Sequence, residues 1–88
     1  MAGATRQVHI RFFAILREQA GCSTVTLETA AADPLALYAE LQAKFPGLTF
    51  PVALLRVSRN ERYADPAVLL AAGDRVVFIP PSPEADHV

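Results

Sequence analysis

Apolar and polar residues alternate from Val8 to Phe13: Val8, Ile10 and Phe12 share one face, His9, Arg11 and Phe13 the other. A period of two predicts a strand with one face in the core. Ala14 to Ala20 reads as a helical turn stopped by Gly21, and Thr24 to Glu28 as a second strand with Val25 and Leu27 pointing in. The pattern then shifts to every four residues at Leu37, Leu41 and Phe45, with Tyr38 alongside. That spacing predicts a helix, with Asp33 as N-cap, Pro34 in the first turn, Lys44 in the last and Pro46-Gly47 as its stop.

After Pro51, Val52 to Ser58 reads as a third strand. Asn60-Glu61-Arg62 turns the chain into a short strand around Tyr63, Asp65-Pro66 opens a loop, and Leu69-Leu70 are expected to plug the bottom of the core. Gly73-Asp74 marks a tight turn. Arg75 to Ile79 is nearly continuous apolar strand, which predicts a central strand covered on both faces. Pro80 and Pro81 cannot donate ladder hydrogen bonds, so pairing fades there.

The order is therefore β-β-α-β-β-β, an α+β fold with a mixed sheet of four to five strands on one main helix. One helix covers one face of such a sheet, and the other stays in water unless a partner takes it. The chain has 88 residues, room for one core that buries roughly 60–65% of the unfolded surface. Residues 1–81 read as that domain and 82–88 as a flexible polar tail.

Net charge is −1 and the arginines are scattered among acids, against a nucleic-acid surface. No apolar run approaches the roughly 20 residues that span a bilayer, and Met1 to Gln7 lack a signal peptide's apolar stretch. The expected compartment is the cytoplasm. Cys22 is the only cysteine, which rules out an internal disulfide or a multi-cysteine zinc site. His9 and His87 have no ligand spacing, so no metal is expected. No nucleophile–base pair or cofactor loop can be assembled, so no catalytic residue, cofactor or stand-alone activity is expected.

Three segments, in order, carry a family resemblance. Phe12 to Gly21 (FFAILREQAG) resembles the strand, alanine and short R-E-x-x-G helix that open the small subunit of molybdopterin synthase. Val57 to Tyr63 (VSRNERY) resembles that family's V-x-x-N-x-x-[YF] hairpin, and Gly73 to Pro81 (GDRVVFIPP) its G-D-E-V-x-x-x-P-P ending. The resemblance runs from about Val8 to Pro81. It implies a ubiquitin-like β-grasp fold and a sulfur-carrier subunit in molybdenum cofactor biosynthesis. In that family an ATP-dependent, E1-like enzyme adenylates a terminal Gly-Gly carboxylate, and sulfur replaces one oxygen. The tail then threads into the large synthase subunit, whose side chains do the chemistry.

The implied partner residues are Phe13, Arg17, Tyr63, Ile79, Pro80 and Pro81. For Phe13 the alternative is that strand twist tucks it into the core edge; Ile79 could be plain core, Tyr63 an edge cap and Arg17 a solvated helix residue. Pro80-Pro81 would act as a stiff extended spacer. Weak self-association of the free chain through the same face is also implied.

The tail departs from the family. Ser82-Pro83 are followed by Glu84-Ala85 where Gly-Gly is expected, then Asp86, His87 and Val88, and no glycine follows Gly73. Pro83 stiffens the backbone, Glu84 and Asp86 bring charge to a narrow channel, and a β-branched Val88 crowds an acyl-adenylate. Three accounts follow: a member that docks without carrying sulfur, a different natural end, or an activating enzyme that accepts Val88. Processing to a terminal diglycine is excluded, since none is present. The chain as written is expected to gain no sulfur, so a non-carrier interaction module stands beside the carrier reading.

Overall fold

The computed structural model describes residues 4–81. Strand β1 (Arg6–Phe12) is followed by the short helix α1 (Ile15–Ala20), strand β2 (Thr24–Thr29) and the main helix α2 (Pro34–Lys44). Strands β3 (Arg56–Arg59), β4 (Arg62–Ala64) and β5 (Arg75–Ile79) complete one mixed sheet of order β2-β1-β5-β3-β4. The last strand is central: it runs parallel to β1 and antiparallel to β3. Both outer pairs, β1–β2 and β3–β4, are antiparallel.

Alternation decides which side chains meet α2. Val8, Ile10 and Phe12 of β1, Val57 of β3 and Val76 and Phe78 of β5 are buried with Leu37, Tyr38 and Leu41 of the helix. Phe45 reaches back edge-on to Phe12, with ring centroids 6.1 Å apart. The helix starts as its sequence predicts: the Asp33 carboxylate accepts a hydrogen bond from Ala36 N–H at 2.9 Å, and Pro34 occupies the first turn, where no N–H is needed.

Side-chain and backbone hydrogen bonds fix the connections. The Gln19 side-chain oxygen accepts from Thr49 and Phe50 N–H, both at 3.0 Å, tying α1 to the loop after α2. Gly47 sits so close to this junction that a Cβ there would lie 2.7 Å from the Gln19 carbonyl oxygen. Asn60 and Glu61 both have positive φ, 53° and 74°, so the β3–β4 hairpin closes on a two-residue type I′ turn. Asp74, buried before β5, accepts from Asn60 Nδ2 at 3.0 Å and Ala71 N–H at 2.8 Å.

Four expectations are corrected. The third strand does not begin at Val52: Val52–Leu54 is a single 3-10 turn and pairing starts only at Arg56. Pro51 caps that turn, and its carbonyl accepts from Leu54 N–H, which diverts the segment from the sheet. Of Leu69-Leu70 only Leu70 enters the core, its N–H bound to the Ala32 carbonyl at 2.8 Å, while Leu69 is 73% exposed. Strand β1 ends at Phe12, and Phe13 belongs to the turn that follows. Strand β5 is central but, among the described residues, covered on one side only: Val76 and Phe78 are buried, whereas Val77 and Ile79 are half-buried on the open face.

Candidate functional site

The open face follows from the register. In β1, His9 and Arg11 alternate away from the helix; Arg11 pairs with Thr24 on one side and Val77 on the other. Val77 in turn faces Ser58, and Ser58 faces Tyr63. One row thus crosses all five strands: Thr24, Arg11, Val77, Ser58, Tyr63. The next position toward the exit of β5 pairs Ile79 with Arg56.

Phe13 enters this face through an unusual turn. Its carbonyl accepts from Leu16 N–H at 3.0 Å, and Ala14 between them has φ 53° and ψ −127°. These angles are those of the first central residue of a type II′ turn, where glycine is at home and alanine is strained by about 1–3 kcal/mol. The turn leaves Phe13 40% exposed, not tucked into the core edge, under the Arg11 guanidinium at 5.0 Å from the ring centroid. Phe13, Arg11, His9, Ser58, Arg75 and Val77 line a shallow groove of about 410 Å³.

Cations flank the apolar strip. Arg56 lies over the Tyr63 ring at 5.8 Å, and Arg75 meets Glu61 at 3.4 Å in an exposed pair. Both arginine–ring contacts hold a charge beside apolar surface without burying it, so a partner carboxylate can reach Arg11 and Arg56. At the sheet's far side His9 Nδ1 and Thr26 Oγ1 are 2.9 Å apart.

The structure brings Phe13, Tyr63 and Ile79 of the expected residues onto one face. Tyr63 is 72% exposed on the edge strand β4. Pro80, directly after β5, is buried, and Pro81 is exposed. Arg17 is exposed on α1, outside the residues that line the groove. Ser82, Pro83, Glu84, Ala85 and Val88 lie outside the described residues. Val77, Arg56 and Ser58 are functional candidates that sequence reasoning missed. Val77 was legible in principle, two residues before Ile79; Arg56 and Ser58 required the β3–β5 register.

Among the described residues no three His, Cys, Asp or Glu side chains cluster as a metal site, and no helix is long and apolar enough to cross a membrane. Cys22 is a half-buried free thiol. The face offers apolar contact, guanidinium groups and an adjacent chain exit. It offers no acid–base or nucleophilic constellation.

Comparison with known proteins supports the same picture. No curated protein matches the chain. Among solved structures, small archaeal modifier protein 1 of Haloferax volcanii is 27% identical with TM-score 0.75, over 88% of this chain and 99% of that one. Subunit 1 or 2 in the Helicobacter pylori molybdopterin-converting factor complex matches at 27% identity and TM-score 0.60, over 86% of this chain and 95% of that one. Small archaeal modifier protein 1 of Methanosarcina acetivorans, at 20% identity and TM-score 0.77 over 92% and 98% of the two chains, shares the fold. These neighbours identify the mixed sheet and single main helix as a ubiquitin-like β-grasp, the fold of sulfur carriers. The ThiS family model matches residues 10–82, most of the chain, and the protein belongs to that family.

Proposed function

We propose that this chain is the small, sulfur-carrier-type subunit of a molybdopterin synthase, docking to the large subunit through its open sheet face and the segment that leaves β5. The observation that carries this reading is the joint placement of Phe13, Val77, Ile79 and Tyr63 on one face that the described residues leave uncovered, beside Pro80-Pro81. The Helicobacter pylori neighbour is a complex of subunits 1 and 2 of molybdopterin-converting factor, which supports a large-subunit partner here.

Phe13 is the anchor of that interface. Fully burying a phenylalanine yields about 1.5–3 kcal/mol, so covering its exposed 40% yields about 1 kcal/mol by transfer alone. Packing in a partner pocket and a carboxylate on Arg11 add to this. Phe13→Ala is expected to weaken large-subunit binding by about 1–3 kcal/mol, with the melting temperature little changed. Isothermal titration with the purified large subunit tests it; unchanged affinity refutes the docking face.

A second reading is a β-grasp module that docks without carrying sulfur, favoured by Glu84-Ala85 standing where the family has Gly-Gly. Incubation with an E1-like activating enzyme, ATP and a sulfur donor separates the two. Intact mass spectrometry shows oxygen replaced by sulfur under the carrier reading and an unchanged mass under the other.

A further inference from the structure

The two edges of the sheet are not equivalent. β4 is three residues long, while β2 is six, Thr24-Val25-Thr26-Leu27-Glu28-Thr29, with no proline, no lysine and a single charge. Edge strands are usually blunted by such residues or by bulges.

The register says which groups β2 presents. Phe12 N–H donates to the Ser23 carbonyl at 2.8 Å, and hydrogen-bonded pairs alternate along an antiparallel ladder. Val25, Leu27 and Thr29 therefore direct their backbone groups at β1, opposite Ile10, Val8 and Arg6. Thr24, Thr26 and Glu28 direct theirs outward. Among the described residues those outward groups have no backbone partner.

We propose that β2 is a self-association edge, pairing antiparallel with β2 of a second copy about a two-fold axis through Thr26, to give a continuous ten-stranded sheet. This alignment brings every outward group of the strand into play: Thr26 pairs with its own copy, and Thr24 with Glu28 at both ends. It makes six backbone hydrogen bonds. Sliding by two residues toward the C-terminal end leaves Thr24 outside the paired strand; sliding by four sets Glu28 against its own copy.

The side chains suit the same alignment. Val25 and Leu27, half-buried on the helix side of the free edge, fall opposite each other across the axis and close each other off from water. On the open face Glu28 meets a neutral threonine, so the strand's one charge never faces itself. The occupant is thus a second copy, selected by charge and shape self-complementarity. An edge contact of this length is small, which makes the dimer weak and reversible.

Analytical ultracentrifugation of the full chain from about 10 μM to 1 mM tests the proposal. The expected result is a monomer–dimer equilibrium within that range. Thr24→Glu sets two carboxylates face to face at each end and is expected to weaken the dimer at least tenfold; adding Glu28→Lys to it restores association. Both substitutions are at exposed positions, and circular dichroism melts verify that each variant is folded. Phe13→Ala, in the turn after β1 and away from the outward backbone groups of β2, leaves the equilibrium unchanged. A strictly monomeric chain at 1 mM overturns the proposal. So does a dimer that Phe13→Ala dissolves while Thr24→Glu does not.

Discussion

Replacing Asn60 by alanine removes three things at once. The Asn60 side chain donates to the buried Asp74 carboxylate at 3.0 Å and accepts from Arg75 N–H at 2.9 Å. Its own backbone sits at φ 53°, which asparagine adopts more readily than alanine. A hydrogen bond to a charged group contributes about 1.5–3 kcal/mol, and one between neutral groups about 0.5–1.5 kcal/mol. The Arg75 bond is exposed, so water replaces much of it. The left-handed backbone adds a further fraction of a kcal/mol. Asn60→Ala should therefore cost about 2–3 kcal/mol, which lowers the melting temperature of a domain this size by about 10–20 °C. Urea unfolding followed by far-ultraviolet circular dichroism reads it directly. Asn60→Gly relieves the backbone while losing both side-chain bonds, and should cost less. A double-mutant cycle with Asp74→Ala should show strong coupling. A loss below about 1 kcal/mol, or additive behaviour in the cycle, refutes the account of a turn locked onto the start of β5.

Other perturbations test other joints. Gly47→Ala places a Cβ 2.7 Å from the Gln19 carbonyl oxygen, which is backbone and cannot swing aside; a loss of about 1–3 kcal/mol in urea unfolding is expected. Ala14→Gly relieves the strained turn at φ 53° by more than the added flexibility of the unfolded chain costs, so a gain of about 0.5–1 kcal/mol is expected by the same measurement. The Tyr38 hydroxyl donates to the Phe50 carbonyl at 2.8 Å, and burial pushes its pKa above the usual phenol value. The unfolded chain then gives up this proton first, so the stabilisation is complete below the unfolded pKa and is lost as pH rises through the folded one. Urea midpoints measured across that alkaline window should fall more steeply for the native chain than for Tyr38→Phe.

Elements built on local rules were legible in the sequence. The α2 cap, the αL stop at Gly21 and the alternation in β1 and β2 all depend on residues close in the chain. The centrality of β5 was legible too, because its apolar run exceeds what a one-faced strand needs. Errors arose where neighbours in space decide. Val52 to Leu55 has the composition of a strand, but Pro51 and two i→i+3 hydrogen bonds wind it into a turn before the sheet begins. Nothing local distinguishes Leu69 from Leu70; the Leu70 N–H to Ala32 carbonyl bond sets which one points inward.

The same limit explains the candidate face. Phe13 was visible as an apolar residue out of phase with Val8, Ile10 and Phe12, yet phase alone left core edge and docking residue equally open. The turn at Ala14 sets how far the ring is exposed. Alanine at φ 53° and ψ −127° is tolerated only where surrounding structure enforces it, and here the turn holds the ring out beside Arg11. Val77 and Ile79 make the corresponding point for β5. The apolar run implied two covered faces, and the fold supplies a helix for only one. Half-buried valine and isoleucine in the middle of a sheet, with an exposed phenylalanine on one side and an exposed tyrosine on the other, form apolar surface that the described residues do not cover. Under the docking proposal, a second protein on that face accounts for the surplus hydrophobicity of the central strand.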